Sequence, residues 1–442
     1  MHKDTPVKRL ANLLSDKGCN RILVKKLAEN DNSKNQVYLG MGFEAINFFP
    51  NLKIKPDKNG LFKAYLQFSW IDSAGIEYPA PDTKLILYPQ YPEVRFSGFL
   101  KGCRNAPSAL MATRMADRLL FLGIRPDGKI FGHVVAPSDR LALDFASFGE
   151  MPYVGVFNEI HVSASVLIAD SKSLLLKELK RIHESGWINS KRLDRQKHIL
   201  PCLASNCGGY TLEAELGIIP NGISDPDFLG WEVKQHHVTK FDKHESSILT
   251  LMTPEPKGGY YRDKGVEAFI VKYGYADKVG RADRYNFGGL HFIDKMQSST
   301  GLSLKLLGYD PVKRKIIDEN GSVALVGAKG DIAAAWFFSD LLNHWNRKHN
   351  QAVYVPSMKR DMPHLQYYYG NIVRLCEGTD FLKLLDAFAD GKVYYDPGIK
   401  LENASDPKKK KTKRRSQFRV KSRNIESLYK LITPFDVTTV KG

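Results

Sequence analysis

Short apolar runs between turn signals dominate roughly the first 170 residues of the chain. Between Phe62 and Phe68, apolar and polar side chains alternate, which is the period of a half-buried strand. Similar runs occupy 37–39, 85–88, 94–96 and 129–135. One helix is predicted over 109–122, from its apolar spacing. The pattern predicts a mostly-β domain, a small barrel, over residues 1–170.

From Ser171 onwards the apolar spacing becomes helical. Leu175, Leu176, Leu179 and Ile182 fall on one helix face. Two further helices are predicted, one from Asp331 to His349 and one around residues 382–385. Helices around a central sheet would give an α/β domain over residues 171–442.

Length and charge narrow the functional classes. A chain of 442 residues is too long for one ordinary core, and its formal net charge of +17 favours a polyanionic partner. Nucleic acid, an anionic membrane and an inert basic surface all remain open on charge alone. No apolar stretch is long enough to span a bilayer, and the N-terminus lacks the apolar core of a signal peptide.

The five cysteines are few, odd in number and scattered, which is typical of a reducing cytoplasm. Cys202 and Cys207 are the one close pair. No second Cys or His pair at zinc spacing lies nearby, so a structural zinc is only a minor alternative.

Asp227, Glu232 and Lys234 form the pattern that carries the most chemistry. On a strand, alternate side chains share a face, so Glu232 and Lys234 point the same way while Val233 points into the core. Asp227, on the preceding turn or strand, can converge on them. Two carboxylates suit Mg²⁺, and the lysine can orient or help deprotonate water, or balance charge on a phosphoryl group. The spacing alone also fits an ordinary strand with charged outward residues.

The surroundings of this pattern add a family resemblance. The segments 208–218, 249–256, 394–400 and 415–420, taken with 226–234, resemble the MvaI/BcnI family of restriction endonucleases. The resemblance runs from about Leu174 to the C-terminus. It implies the PD-(D/E)XK nuclease fold, an α/β domain with a central mixed sheet flanked by helices.

The resemblance also implies a catalytic set. Glu213, Asp227, Glu232 and Lys234 would be catalytic, with Asp227 and Glu232 holding Mg²⁺. Glu215 competes with Glu213 for the helix position, but the two lie about 200° apart around a helix and cannot both face the metal. Glu213 is preferred because it directly follows Thr211-Leu212, as in the family motif.

By the same resemblance, the expected activity is that of a type II restriction endonuclease. It would cut double-stranded DNA at a short C/G-rich site, with CC(A/T)GG as the first expectation. A monomer in a bacterial cytoplasm is implied, with a cognate DNA methyltransferase in the same system but no stable complex. Two alternatives stay open: a MutH-like nicking repair nuclease, and a non-catalytic DNA-binding regulator that has lost a metal ligand.

The N-terminal region resembles the B3-like effector domain of EcoRII-type enzymes, a β pseudobarrel that grips DNA with two arms. The arms would lie near residues 35–38 and 91–104. Such a domain would bind a second copy of the site or enhance affinity. Polar side chains there can contact base edges or phosphates, although each can also be a solvated surface residue. The candidates are Asn35, Gln36, Tyr38, Arg95, Lys101 and Arg104.

The densest basic run, Lys408 to Arg415, contains no acid. A disordered tail, a localisation signal, a phosphate-binding loop and a groove reader are all compatible with it. Apolar residues follow, so the chain re-enters a fold, and we interpret 408–413 as a flexible loop on the DNA backbone. Candidate base or phosphate contacts are Arg414, Arg415, Gln417 and Arg419. His236 and His237, next to the catalytic strand, either contact DNA or are simply exposed.

Overall fold

A computed structural model describes residues 5–29, 35–148, 153–163, 166–168, 171–204, 206–219, 227–241 and 247–441. Its N-terminal part is mostly β, as predicted. The helices there are α1 (Pro6–Asp16), α2 (Ser108–Met111) and α3 (Arg140–Ala146), with a 3-10 helix at Glu44–Phe48. The strands are β1 (Arg21–Leu27), β2 (Val37–Met41), β3 (Lys55–Pro56), β4 (Phe62–Tyr65), β5 (Gln67–Ile71), β6 (Glu77–Pro79), β7 (Lys84–Tyr88), β8 (Glu93–Ser97), β9 (Arg118–Ile124), β10 (Lys129–Val135), β11 (Tyr153–Val154), β12 (Phe157–Ser163) and β13 (Val166–Ile168).

Two sheets form this N-terminal region. The first has the strand order β11-β12-β1-β9-β10-β5-β6, with β13 added to β12, and the second has the order β2-β8-β7-β4-β3. The helix predicted over 109–122 is wrong: only α2 is helical, and the rest enters the central strand β9. Every residue of β9 is buried. A strand buried on both faces has no alternation, and its apolar run is easily mistaken for a helix.

The second half of the chain mixes helices and strands. The helices are α4 (Ser171–Glu184), α5 (Cys207–Glu215), α6 (Tyr260–Tyr273), α7 (Phe338–Lys348) and α8 (Phe381–Ala389), with 3-10 helices at Ser422–Leu428 and Val437–Thr439. The strands are β14 (Ile188–Asn189), β15 (Lys191–Leu193), β16 (Ile199–Pro201), β17 (Glu232–His237), β18 (Ile248–Met252), β19 (Tyr275–Ala276), β20 (Arg284–Gly288), β21 (Met296–Gln297), β22 (Leu302–Leu307), β23 (Tyr309–Asp310), β24 (Lys315–Ile316), β25 (Ser322–Gly327), β26 (Ile332–Phe337), β27 (Gln351–Arg360), β28 (Gln366–Tyr369), β29 (Ile372–Glu377), β30 (Val393–Tyr395), β31 (Gly398–Glu402), β32 (Lys411–Lys413), β33 (Phe418–Lys421) and β34 (Leu431–Asp436).

The helix predictions in this half have mixed outcomes. Helix α4 and its buried face of Leu175, Leu176, Leu179 and Ile182 are confirmed, and so is α8. The helix predicted from Asp331 to His349 is wrong in its first half, which is strand β26, paired with β25. The alanine-rich run of β26 is buried at four consecutive positions, so its spacing carries no strand period.

A six-stranded mixed sheet positions the predicted catalytic residues. Its order is β14-β28-β27-β29-β34, and β17 joins it by pairing in parallel with β27. One face of β17 and β27 carries Val233, Val353 and Val355, which pack with α4 and α5 into one core. The opposite face carries Glu232, Lys234 and, on β27, a tyrosine buried in a second, larger core.

That larger core is continuous from the N-terminal strands to the end of the chain, from Leu23 to Tyr429. Buried polar contacts reinforce the joint between the two halves. The amide of Phe43 donates to Asp380 Oδ2 at 2.7 Å, and Asn47 Nδ2 donates to the carbonyl of Thr379 at 3.3 Å. Gly42, at φ +74°, lies so close that a Cβ there would be 2.0 Å from Asp380 Oδ2. The N-terminal half is therefore packed against the second half.

Two expectations about the environment meet the structure here. Within the described ranges, no helix is long and apolar enough to cross a membrane. Cys202 and Cys207 are joined in a disulfide between the end of β16 and the start of α5. Sulfurs joined in a disulfide are not thiolates, so this pair does not form a zinc half-site.

Candidate active site

A tight turn brings the two predicted metal ligands together. Phe228 and Trp231 exchange backbone hydrogen bonds of 2.9 and 2.8 Å around Leu229 and Gly230, which both have positive φ angles. Such a two-residue turn is the hairpin turn that matches strand twist. It places Asp227, one residue before the hairpin pair, opposite the residue that follows it, Glu232.

Glu232 and Lys234 lie on β17 as the alternation predicts. The Glu232 side chain is 1% exposed, and the Lys234 ammonium contacts its Oε1 at 2.5 Å. Asp227 Oδ2 accepts the amide hydrogen of Val233 at 3.0 Å. This bond fixes the Asp227 carboxylate against the strand, on the side where the other two groups lie.

Lys234 lies in the negative field of three acids, of which Glu232 is in direct contact with it. Burial by itself would lower the pKa of this ammonium. The neighbouring carboxylates outweigh burial and raise the pKa above its ordinary value, with Glu232 acting most strongly and Asp227 and Glu213 following. Lys234 is therefore a cation held among carboxylates, which suits charge balance and orientation better than proton abstraction.

The two glutamates of α5 have different surroundings. Glu215 forms ion pairs with Lys191 and Arg181, the latter at 3.2 Å. Glu213 acts electrostatically on Lys234, as described above. Glu215 is thus already engaged by two cations, and Glu213 stays the predicted residue for the helix position.

The residues present fit a hard divalent cation. Magnesium keeps several waters and takes only one or two protein carboxylates in many phosphoryl sites. A carboxylate offers about four lone-pair directions, so the bond from Val233 does not exhaust Asp227. In the part of the chain that is described, no three His, Cys, Asp or Glu residues form a metal-binding group by themselves. Pro226 of the sequence pattern and residues 220–225 before it lie outside the described residues.

The two histidines that follow Lys234 on β17, His236 and His237, point to opposite faces of the strand. His236 shares the face of Glu232 and Lys234, and its Nδ1 is buried. Burial, followed by the charges of Arg374 and His237, lowers the pKa of His236 to about 4, so its ring is neutral at pH 7. His237 is exposed.

The basic run near the C-terminus forms a defined structure, which corrects the prediction of a flexible loop. Strand β32 pairs with β31 at the edge of a four-stranded sheet of β19, β20, β31 and β32, which we call the basic wing. Lys411 and Lys413 on β32 are exposed. Asp406 organises the preceding turn by accepting the amides of Lys409 and Lys410. An edge strand is an exposed element that can track a phosphate backbone.

The four contact candidates after the wing differ in availability. Arg414 and Arg415 are exposed, and Arg414 lines a cavity of about 700 Å³ beside Tyr261. Arg419 is bound to Asp396 at 2.6 Å, so its guanidinium already has an ion-pair partner. Gln417 is only partly exposed.

In the N-terminal half the structure brings together four of the six candidates. A cavity of about 440 Å³ is lined by both predicted arms, including Asn35, Gln36, Tyr38 and Arg95. Arg95 donates to Gln36 at 3.3 Å and pairs with Glu93. The remaining two lie elsewhere: Lys101 and Arg104 do not line this cavity, and both are exposed.

Sequence reasoning missed Lys25, which also lines this cavity. It has no ionic partner among the described residues, and burial lowers the pKa of its ammonium. The adjacent basic pair Lys25-Lys26 within a strand was the signal available in the sequence.

Comparison with known proteins places this geometry in a class. The model of the MvaI/BcnI restriction endonuclease family matches residues 176–429, more than half of the chain. The chain therefore belongs to the MvaI/BcnI restriction endonuclease family. It is a type II site-specific deoxyribonuclease, which sets aside the non-catalytic alternative.

Solved structures of one family member are similar to the chain. A complex of the restriction endonuclease MvaI with cognate DNA is 19% identical, covering 59% of this chain and 96% of that one, with a TM-score of 0.44. MvaI without DNA is 18% identical, covering 60% and 98%, with a TM-score of 0.34. No curated protein sequence matches.

Proposed function

We propose that this enzyme hydrolyses both strands of DNA at a short C/G-rich site, with CC(A/T)GG as the first candidate, in a reaction that requires Mg²⁺. The observation that carries the proposal is the hairpin turn that places Asp227 opposite Glu232, with the Lys234 ammonium in contact with Glu232 on the same strand. Bound Mg²⁺ would polarise a phosphoryl oxygen and make the attacking water more acidic.

Each residue has a role that its position supports. Asp227 and Glu232, opposite each other across the turn, would hold the metal. The Lys234 ammonium would orient the attacking water and balance charge developing on the phosphoryl group. Glu213, on α5, would assist through the metal's waters.

The N-terminal half would be a B3-like effector domain, with residues 1–170 as its extent. Its cavity between the two arms supports contact with a second copy of the site through Asn35, Gln36, Tyr38 and Arg95. The basic wing would contact phosphates near the catalytic site. We further propose a monomer in a bacterial cytoplasm that cuts the strands in turn, with a methyltransferase as its functional companion.

Digestion of plasmid DNA by the purified chain, followed by sequencing of the ends, tests the proposal. One fixed sequence cut in both strands, only with Mg²⁺, is the expected result. Plasmids with one and two copies of the site would show whether a second copy stimulates cleavage. Cleavage without any divalent ion, or at random positions, would reject the proposal.

The family assignment also speaks against a nicking repair nuclease of the MutH type, and the digestion products check this. Such an enzyme would leave nicked circles and depend on partner proteins. Linear product from the chain alone distinguishes the two activities.

A further inference from the structure

A buried group of polar rings lies beside the strand that carries Glu232 and Lys234. In the parallel pairing of β17 with β27, Lys234 is opposite Tyr354, and paired residues of neighbouring strands share a face. Tyr354 is 1% exposed. Its ring therefore lies within the protein on the same sheet face as the predicted catalytic groups.

Hydrogen bonds hold these rings in place. The Tyr354 hydroxyl lies 3.1 Å from the hydroxyl of Tyr429, which in turn lies 3.2 Å from Nδ1 of His349. The other ring nitrogen of His349 lies 3.2 Å from the carbonyl oxygen of Leu251. All three rings are buried. A buried network of this kind fixes ring positions, because an unmade hydrogen bond is costly where water is excluded.

Both phenols lie within the field of the Glu232 carboxylate. Burial raises the pKa of Tyr354 and of Tyr429, and the Glu232 charge raises each further. Both hydroxyls are therefore neutral at pH 7. They can orient the strand without adding a charge that competes for the metal.

Residues 428–430 connect this network to the N-terminal half. The hydroxyl of Thr379 donates to the carbonyl of Leu428 at 2.6 Å, directly before Tyr429. Directly after it, Lys430 forms an ion pair with Glu44 of the N-terminal half. Tyr429 thus lies between Leu428, which is bonded to Thr379 just after β29, and Lys430, which is paired with the N-terminal half.

A second route runs to the same place. Trp345 stacks on His349 with ring centroids 4.1 Å apart, and its Nε1 donates to Thr379 Oγ1 at 3.1 Å. The carbonyl of Thr379 accepts from Asn47, which belongs to the N-terminal half. Two sets of contacts, which share Thr379, therefore join the N-terminal half to the rings beside β17.

We propose that Tyr354 and Tyr429 are positioning residues for strand β17, and that the N-terminal half affects their positions through the ion pair of Lys430 with Glu44. This inference rests on the proposed function, because it assumes that β17 holds the metal. Neither tyrosine touches DNA or metal in this scheme. The tyrosines fix the positions of Glu232 and Lys234, and the Glu44–Lys430 ion pair fixes the position of Tyr429.

The first arm of the test is Tyr429→Phe, which removes one hydroxyl and keeps the ring. Tyr309→Phe is the matched control, since Tyr309 is also buried and its hydroxyl donates to a carboxylate, that of Asp386, away from β17. We expect Tyr429→Phe to lower kcat about tenfold with KM unchanged, a fold-change of one hydrogen bond's size. The Mg²⁺ concentration that half-maximally raises Tm, measured without DNA, should rise similarly. The control should leave both quantities at the wild-type values.

The second arm is Lys430→Met, which removes the charge that faces Glu44. Lys129→Met is its control, because Lys129 pairs with Glu77 inside the N-terminal half. Lys430→Met should reduce kcat and weaken the Mg²⁺ response in the same direction as Tyr429→Phe, and the double variant should be no worse than the worse single one. Strictly additive effects would overturn the link to the N-terminal half.

The outcomes separate this inference from the function on which it rests. If the wild type cuts with Mg²⁺ and Glu232→Gln does not, but Tyr429→Phe equals the wild type in kcat and Mg²⁺ response, the positioning role is rejected and the function stands. If Glu232→Gln leaves the Mg²⁺ response of Tm unchanged, both are rejected.

Discussion

Replacing Lys234 by methionine is the sharpest test of the candidate site, because it removes the ammonium and keeps most of the side-chain volume. The ammonium faces a carboxylate that is 1% exposed, at 2.5 Å. Removing one partner of a buried ion pair costs about 3–5 kcal/mol. Lys234 is 26% exposed, so water still reaches the pair and the lower end, about 3 kcal/mol, is expected without metal.

Urea denaturation of four proteins measures this cost: the wild type, Lys234→Met, Glu232→Gln and the double variant. The double variant should be more stable than Lys234→Met alone, because no buried negative charge then faces the methionine. Added Mg²⁺ should return part of the lost stability to Lys234→Met, where Glu232 is intact, and none of it to the double variant.

Cleavage provides the functional half of the same experiment. Lys234→Met should bind the site as tightly as the wild type in Ca²⁺ and cut it at least about 10²-fold more slowly, the usual effect of losing one charge-stabilising group. The reasoning is refuted if Lys234→Met cuts at the wild-type rate, or if the stability losses of the two single variants add in the double one.

Three further predictions concern other parts of the molecule. The double variant Lys411→Ala/Lys413→Ala in the basic wing should weaken binding to all DNA sequences and reduce the slope of log K against log salt by about 2. The control Lys177→Ala, on the exposed side of α4, should change neither quantity, and an unchanged slope in the wing variant would contradict a phosphate role. Gly42→Ala should lower the free energy of unfolding by about 1–2 kcal/mol because of the positive φ, and by about 1–3 kcal/mol more because Asp380 is displaced from the Phe43 amide. Gly186→Ala, also at positive φ but with no atom within 4 Å of the added Cβ, should show only the first loss, and equal losses would argue against the contact. Burial lowers the pKa of His291 from 6.5 to about 4, so the folded state loses about 2 kcal/mol of stability as the pH falls from above 6.5 to 5. The free energy of unfolding of His291→Gln, plotted against pH, should lack this loss, and a curve parallel to that of the wild type would contradict the prediction.

The strand β17, which carries the candidate catalytic residues, could be predicted from the sequence because the period of a strand is short and local. Glu232, Val233 and Lys234 alternate faces as predicted, since alternation needs no knowledge of partners. The convergence of Asp227 was also within reach, because a two-residue turn fixes which residues are opposite each other. Site residues on α5 needed the family resemblance, since helix position alone did not decide between Glu213 and Glu215.

The errors arose where burial erased the period. Strands β9 and β26 are buried along most of their length, and a continuous apolar run is common to central strands and buried helices. Strand β32 pairs with the strand that precedes it in the chain, β31, but its lysines show no apolar alternation, so the run looked flexible. The rings of Tyr354 and Tyr429 were out of reach for another reason: 75 residues separate them in the chain.

The uninterrupted core between the two halves limits how this enzyme can be recombined. Replacing the first 170 residues by those of another restriction enzyme would remove loop 42–54 and leave its contacts at 343–350, 379–380 and 430 uncovered. Apolar surface would then be exposed, unless the segments on both sides of the joint were transferred together. The proposed arms at 35–38 and 91–104 contribute none of these contacts, so either arm can be altered while the joint between the two halves is kept.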